Sequence, residues 1–499
     1  MRTLLFLTVF VIATCGLVYE LIAGTVASYL LGDSVTQFSL VIGVYLFAMG
    51  MGSLLSKYLE RDLLTWFVRI EILVGLVGGF SSTLLYLLFG SIDAFHVLLY
   101  VLVGITGMLV GVELPLLMRI LKDQVEFRSL VANIFTFDYV GALLASIIFP
   151  LVLMPAIGIL RTSYLFGILN IVVGLILLVR LKDQVRGVVF LRVMSLFCIA
   201  ALLVAFVLAD RVQRFTEALA YSGPIIHAES TPYQRIVLTR EADGTRLYLN
   251  GNLQFSTYDE YRYHEALVHP AFMHRPDARR ILVLGGGDGL AVREVLKHKR
   301  VQHVDLVDLD PAMTRLFSEN DGFSQLNEGA LRSSKVHVYN ADAFQWLRQD
   351  TSSYDIVLVD FPDPNNYALG KLYTTTFYRT LAQRLDPRSI VAVQSTSPYV
   401  AAESYWCIHN TMRHEGFHVM PYHVYVPSFG DWGFFLASSS ALKENMTPLD
   451  VQVRFMDENT FADACRFPPD MGWRATEVNR LNNQALVHLF EREWDRVGQ

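Results

Sequence analysis

Cysteine is scarce: Cys15, Cys198, Cys407 and Cys465 are the only four in 499 residues, and no two form a Cys-x-x-Cys pair. That spacing indicates neither a disulfide framework nor a thiolate metal site. Positive charge is not in excess either. A formal net charge of −6 leaves no electrostatic footprint for nucleic acid. His414 and His418 are spaced to share a helical face, but no third ligand of the right kind accompanies them, so no zinc site is expected. No internal repeat or low-complexity linker is evident. Charge of either sign is thin, at 18% of residues against 53% hydrophobic, and the imbalance is concentrated in the first ~210 positions.

That first region holds apolar runs long enough to cross a ~30 Å hydrocarbon layer. Seven are expected: Leu4 to Leu31, Phe38 to Leu55, Ile70 to Phe89, Phe95 to Leu121, Val131 to Leu160, Tyr164 to Val179 and Gly187 to Leu208. The first is too long for a removable signal peptide and lacks a small-residue cleavage site. Glu20, Glu71, Glu113 and Asp138 fall inside these runs, where an ionised carboxylate costs at least about 2.5–3.5 kcal/mol unless paired or wet. They read either as sites for a cationic ligand, or as partners of Arg69, Arg119 and bundle hydroxyls, or as acids near the interface. Gly50-Met-Gly-Ser53 reads as a helix-packing face.

Basic residues cluster on alternate connections: Lys57, Arg61 and Arg69; Arg119, Lys122 and Arg128; Arg180, Lys182 and Arg186. The intervening connections hold mainly Asp33, Asp93 and Arg161. The expected location is therefore a cell membrane, inner where there are two, with the basic loops cytoplasmic. Seven complete crossings would then carry Arg211 and everything after it to the far side. A soluble part that uses a charged nucleoside is nonetheless expected on the cytoplasmic side, with Asp360 facing the same compartment as the basic loops, which requires Tyr164 to Val179 or Gly187 to Leu208 to be re-entrant or interfacial.

The expected organisation is a membrane region over 1–209, a soluble domain over 210–440 and a C-terminal extension over 441–499, with a helix from Ala475 to Trp494. Within the soluble domain, strands with a turn at Asp243-Gly244 open a small β region at about 225–262. An α/β Rossmann-like core at about 275–440 follows. Its signature is Ile281-Leu-Val-Leu-Gly-Gly-Gly-Asp-Gly289 leading into Leu290 to His298: a buried strand, a glycine turn and a helix. Gly285, Gly286 and Gly287 let the backbone approach a nucleoside. Asp288 adds a negative charge suited to a cationic ligand.

Carboxylates recur at the ends of the strands that follow. Val304 to Asp310 places Asp308 about 20 residues past the glycine turn, where it can hold ribose hydroxyls. Val336 to Asp342 puts Asp342 where an adenine amino edge is read. Tyr354 to Pro364 releases Asp360 and Asp363 into the crevice at the sheet's carboxyl ends.

Together with Tyr233-Gln234, Leu249 to Gln254, Asp259-Glu-Tyr-Arg-Tyr-His-Glu265 and Leu372-Tyr-Thr-Thr-Thr-Phe-Tyr378, these segments resemble the spermidine synthases, or polyamine aminopropyltransferases, from about Tyr233 to Ser438. Departures from that family's pattern are Leu290 in place of a glycine, Phe361-Pro362 between the two acids, and Phe429 where a tyrosine often contacts the diamine. The resemblance implies decarboxylated S-adenosylmethionine as co-substrate, an amine acceptor such as putrescine, no permanently bound cofactor or metal, and a homodimer or homotetramer. It also assigns Asp360 as base and Tyr263 as its hydrogen-bonding partner, with Asp363 holding the amine. Gln234 and His264 complete the shell, and Asp288 meets the donor's ammonium.

The residues suit that chemistry on their own terms. An alkyl amine with a pKa of roughly 10 is almost wholly ammonium at neutral pH, so a base must take its proton in the site. A carboxylate at Asp288 would repel a donor that kept its own carboxylate. Two other classes fit the same pattern: a methyltransferase using S-adenosylmethionine, and a polyamine transporter or sensor with a binding-only domain.

Overall fold

The computed structural model describes residues 2–31, 34–89, 95–122, 126–442, 446–494 and 496. The chain forms two compact units, residues 1–222 and 223–499.

The first unit is helical: α1 (Arg2–Leu31), α2 (Ser34–Leu55), α3 (Leu63–Leu88), α4 (Phe95–Leu121), α5 (Phe127–Ile148), α6 (Met154–Arg180) and α7 (Val188–Ala220). Among the described residues six stretches are long and apolar enough to cross a membrane, the fifth, Arg128 to Arg180, taking in both α5 and α6. The separate segments expected at Val131 to Leu160 and Tyr164 to Val179 are two helices, α5 and α6, with their boundary earlier than expected. A π-helical turn at Phe149–Leu153, containing Pro150, joins α5 to α6, and Gly158 breaks the run with φ 75° and ψ 175°. Proline and a left-handed glycine are the usual means of bending a helix.

The chain reverses at that break. Phe6 stacks on Phe137 and Gly141 lies against the Phe10 carbonyl, so α5 runs parallel to α1. Tyr19 packs on Gly78, and the rings of Tyr29 and Tyr86 meet further along, so α1 is parallel to α3. Glu71 packs on Gly174 whereas Gly78 accepts from Ser163, so α6 is antiparallel to α3. At one end of α7 the Arg186 backbone N–H donates to Thr65 (3.0 Å), Leu202 packs on Gly79, and Asp210 pairs with Arg161 (2.8 Å). α7 therefore also traverses the whole bundle, parallel to α3. Both α6 and α7 run the length of the helical bundle and neither doubles back within it. Of the Gly50 to Ser53 face, Gly52 abuts the Met108 backbone of α4, while Gly50 faces open space.

The second unit begins with a four-stranded antiparallel sheet, β1 (Ile225–Ser230), β2 (Arg235–Glu241), β3 (Gly244–Leu249) and β4 (Asn252–Ser256). Its tightest turn is Asn250-Gly251, both at positive φ, the conformation that a two-residue hairpin loop demands. Next come α8 (Glu260–His274), β5 (Arg280–Gly285), α9 (Leu290–Leu296), β6 (His303–Asp308), α10 (Pro311–Glu319), β7 (Val336–Asn340), α11 (Ala343–Gln349), β8 (Tyr354–Asp360) and β9 (Leu385–Gln394). After α12 (Ala402–His414), the hairpin β10 (His418–Val426) and β11 (Gly430–Ser438) completes a seven-stranded sheet ordered β10-β11-β9-β8-β5-β6-β7. β9, β8, β5, β6 and β7 are parallel. Leu282, Val283, Leu284, Val357, Leu358 and Val359 are fully buried, as strands covered on both faces must be. The order reverses between β5 and β8, the switch point where ligands of such sheets bind. His418 lies in β10, not on a helix with His414, so the shared helical face does not exist.

The segment after Ala441 is sewn into this unit. Buried Glu265 of α8 accepts the backbone N–H groups of Arg454 (2.8 Å), Phe455 (2.7 Å) and Met456 (3.0 Å). Glu493 of the last helix, α13 (Ala485–Trp494), caps α12 through the N–H groups of Glu403 and Ser404. The helix expected from Ala475 begins only at Ala485, because Asn479 and Asn483 bond the backbone in non-helical turns first.

Candidate active site

The glycine turn after β5 is set by what surrounds it. Gly285, Gly286 and Gly289 have φ of 82°, 68° and 77°, in the region L side chains avoid. A Cβ on Gly286 would stand 2.9 Å from Asp360 Oδ2, and one on Gly287 would stand 2.7 Å from Asp308 Oδ2. The turn is therefore wedged between the acids that end β8 and β6. Gly287 N–H donates to Asp308 Oδ2 (3.0 Å), Asp310 N–H donates to Asp308 Oδ1 (2.8 Å), and Leu290 N–H donates to Asp288 Oδ1 (2.9 Å). Asn327 Nδ2 holds the Asp288 carbonyl at 2.7 Å.

From the other side, α8 presents Tyr263 and His264. Tyr263 donates its hydroxyl proton to Asp360 Oδ1 at 2.6 Å. His264 Nδ1 lies 2.7 Å from Glu260 Oε2 and 2.8 Å from the Glu260 carbonyl. Both partners are acceptors, so Nδ1 carries the proton. Arg293 of α9 clasps Glu260 with two guanidinium bonds, 3.0 and 2.9 Å. This fork ties the helix after the glycine turn to the helix that carries Tyr263.

The remaining expected residues are more dispersed. Gln234 Nε2 donates to Asp310 Oδ2 (3.0 Å), and Thr231 donates to the same oxygen (2.8 Å), which fastens the β2 end of the small sheet to the loop after β6. Asp342 caps α11 through Gln345 N–H (3.1 Å) and pairs with Lys371 at 2.5 Å. Asp363 is the exception to this bonding: its Oδ1 is buried with no partner. Sequence reasoning missed Glu260, Arg293, Gln394 and Trp432. Trp432 Nε1 donates to Gln394 Oε1 (3.1 Å), and Gln394 Nε2 donates to Tyr373 (3.1 Å) and the Phe361 carbonyl. Only the Arg293 position, one helical turn past the glycine loop, offered a signal. Phe429 meets Tyr263 with ring centroids 6.2 Å apart.

Negative charge is in surplus here. Burial pushes Asp363 up to about 7. Burial also raises Asp288 to about 6, against the pull of His264 and with a push from Asp360. Asp308 reaches about 6 for the same first reason, although the N–H groups of Asp310 and Gly287 oppose it. Asp360 is raised by burial, with His264 and the Tyr263 bond pulling it down. Burial works against the charged form of His264, but the Glu260 bond and charge prevail and raise it. Asp342, held by Lys371 and backbone against its own burial, is lowered.

The spermine/spermidine synthase domain matches residues 260–448. A polyamine aminopropyltransferase of Leptospira interrogans serogroup Icterohaemorrhagiae serovar copenhageni is 51% identical over 498 residues, covering 100% of both chains. The chain belongs to the polyamine aminopropyltransferase family. It is an aminopropyl-transferring enzyme, and its helical unit is part of what it shares with that relative. Another aminopropyltransferase, polyamine aminopropyltransferase 2 of Ralstonia nicotianae, is 50% identical over 506 residues, 99% of each chain. A solved spermidine synthase in complex with the transition state analogue AdoDATO aligns with a TM-score of 0.46 at 22% identity, over 49% of this chain and 85% of that one.

The raised acids make a prediction about this aminopropyltransferase. A carboxyl raised in the fold binds more proton folded than unfolded. Its stabilising contribution is complete below about pH 4 and is lost as pH rises through the folded value. For Asp363 that loss extends to about pH 7. Thermal melts of the ligand-free, full-length protein should therefore fall between pH 5 and 7.5, and Asp363→Asn should flatten the upper part of that slope. Superimposable slopes would show that Asp363 titrates normally.

Proposed function

We propose that this enzyme moves the aminopropyl group of decarboxylated S-adenosylmethionine onto a primary amine, with putrescine giving spermidine and methylthioadenosine. The observation that carries the reading is the Tyr263–Asp360 bond of 2.6 Å at the switch point, beside the unpartnered buried Oδ1 of Asp363. The amine nitrogen attacks the carbon next to the sulfonium, the C–S bond breaks with its electron pair going to sulfur, and a neutral thioether leaves. The nitrogen sheds one proton, which Asp360 accepts. Burial raises Asp360 above the ordinary carboxylate range, which improves its match to that task. Tyr263 orients the carboxylate, and Asp363 offers its free oxygen to the ammonium end of the acceptor. Positioning and charge complementarity supply the catalysis, as expected for a displacement needing no covalent enzyme intermediate.

For the donor, Asp308 holds the ribose hydroxyls, Asp342 stands at the base, and Gln234 braces the loop between β6 and α10. Asp288, 9% exposed and next to the turn, takes the donor's terminal ammonium. A donor that kept its carboxylate would meet Asp288 and Asp360 together, which favours the decarboxylated form and weighs against methyl transfer from S-adenosylmethionine. We also propose that the first unit is embedded in a cell membrane, with the basic loops cytoplasmic and the chain after α7 on the opposite side.

Asp360→Asn should lower kcat by at least about a hundredfold, the usual contribution of a general base, with donor affinity kept. Tyr263→Phe should lose less. Mass spectrometry of products from a panel of amines gives both readouts, and a near-normal rate for Asp360→Asn at neutral pH would remove the base assignment.

Donor choice is tested at Asp288. Replacing it with Asn should weaken the decarboxylated donor by about 1–3 kcal/mol, the worth of a charge-assisted bond, and narrow its advantage over S-adenosylmethionine in calorimetry. An unchanged ratio means that another group excludes the carboxylate.

Orientation is open to single-cysteine labelling in intact cells. An impermeant reagent should miss cysteines placed beside Lys57, Lys122 and Lys182 and reach one placed after Ala441. Labelling of the basic loops would reverse the assignment, and protection at all sites would put catalysis in the cytoplasm.

A further inference from the structure

Glu71 and Glu113 are 0% and 1% exposed, and none of their four carboxylate oxygens has a partner among the described residues. The cations that the sequence offered them are engaged elsewhere. Arg69 lies over the Trp66 ring, and Arg119 donates to the Ser56 carbonyl at 2.9 Å. Besides Ser82, Ser195 and the Arg192 Nε, other buried polar side chains without a partner among the described residues of the bundle include the Tyr19 hydroxyl and both polar atoms of the Asn170 amide.

Helix geometry brings these groups together. On α3, Glu71 and Gly78 share one face, and the Tyr19 ring rests on Gly78. On α4, Glu113 follows Val110 by one turn, and Val110 touches Gly16 of α1. On α6, Gly174 receives the Glu71 side chain, while the Phe166 carbonyl faces Cys15 of α1. Asn170 lies one turn from each of those two positions, so it points into the junction of α1, α3 and α6. Glu71 and Glu113 are within electrostatic range of each other and of Cys15 and Tyr19. Both acids sit about two turns, roughly 12 Å, from the helix ends that carry the basic loops.

We propose that this cluster is a second amine site: an intramembrane pocket in which Glu71 and Glu113, with Asn170 and Tyr19, bind an alkylammonium ion. Acceptors outnumber donors, which is the complement of a primary ammonium with its three N–H bonds. Two carboxylates match two positive charges. The Tyr19 ring offers a cation–π face. A bound amine also removes the cost of leaving two charges unpaired in a low-dielectric interior. The preference for an amine over an alkali ion rests on the function proposed above.

The test is equilibrium dialysis of radiolabelled putrescine and, separately, spermidine against full-length protein in phosphatidylcholine nanodiscs. Wild type should bind two equivalents of amine. The double variant Glu71→Gln/Glu113→Gln should bind one, and Asp360→Asn/Asp363→Asn should also bind one. A wild type that binds one equivalent, or a Glu71/Glu113 variant that still binds two, overturns the intramembrane site. Two equivalents in the Asp360/Asp363 variant instead overturn the catalytic reading and leave the intramembrane site standing. Labelled sodium that binds with one equivalent, is lost in the Glu71/Glu113 variant and displaces the amine at equal concentration would make the site an alkali-ion site. Tyr19→Phe and Asn170→Ala keep the acids, so they serve if the double variant does not fold. Each should weaken the second site roughly tenfold, as loss of a bond to a charged group does, and unchanged affinity in both overturns the proposal.

Discussion

Uncompensated negative charge at the carboxyl ends of β5, β6 and β8 is the constraint from which the rest of the catalytic unit follows. Asp288, Asp308, Asp360 and Asp363 converge there, and the cation nearest to them, His264, is itself committed to Glu260. Leaving such a cluster dry is expensive, and proteins keep it only where a ligand or proton completes it. Under the proposed function, a sulfonium donor with a terminal ammonium and an amine acceptor are between them the missing counterions. The glycine turn is a consequence of the same crowding. With Asp360 on one side and Asp308 on the other, no side chain fits at Gly286 or Gly287.

Geometry, rather than charge alone, makes the cluster selective in chemistry. Asp360 is fixed by a phenol, whereas Asp342 is neutralised by Lys371 and Asp308 is tethered by two backbone amides. Acids of one residue type thus differ in what they can do. Those bonded to backbone or lysine are held in place, whereas Asp360 meets only a phenol and Asp363 Oδ1 has no partner among the described residues. The Glu260–Arg293 fork keeps this division in place by locking α9 to α8.

The sequence made the strand ends legible because each parallel strand is a run of buried aliphatic residues that closes on an acid. It made the apolar helices legible because length and hydropathy suffice to find them. It placed the reversal between α5 and α6 within a few residues of Gly158, but not the π-helical turn before it, since hydropathy carries no backbone geometry and the two prolines nearby mark a bend without saying how sharp it is. It hid the contacts of Glu265 with Arg454 to Met456 and of Glu493 with α12, because a carboxylate that serves distant backbone amides looks the same as a solvated one. Gln394 and Trp432 escaped for a related reason: they come from strands of the edge hairpin and its neighbour, whose place in the sheet depends on topology and not on any local pattern. The helix proposed from Ala475 was shortened by asparagines, whose side chains compete for the backbone.

The staple at Glu265 has a temporal side. Its carboxylate, fully buried in α8, finds its amide partners at Arg454, Phe455 and Met456, roughly 190 positions later. During synthesis at about 5–20 residues per second, the ribosome needs on the order of ten seconds or more to deliver them. Throughout that interval the sheet can form around β5 and β8, but α8 must carry an unsatisfied charge at its core-facing side. The helix that bears Tyr263 is therefore among the last pieces to settle. A nascent chain would thus hold an assembled parallel sheet before α8 and Tyr263 are fixed against it.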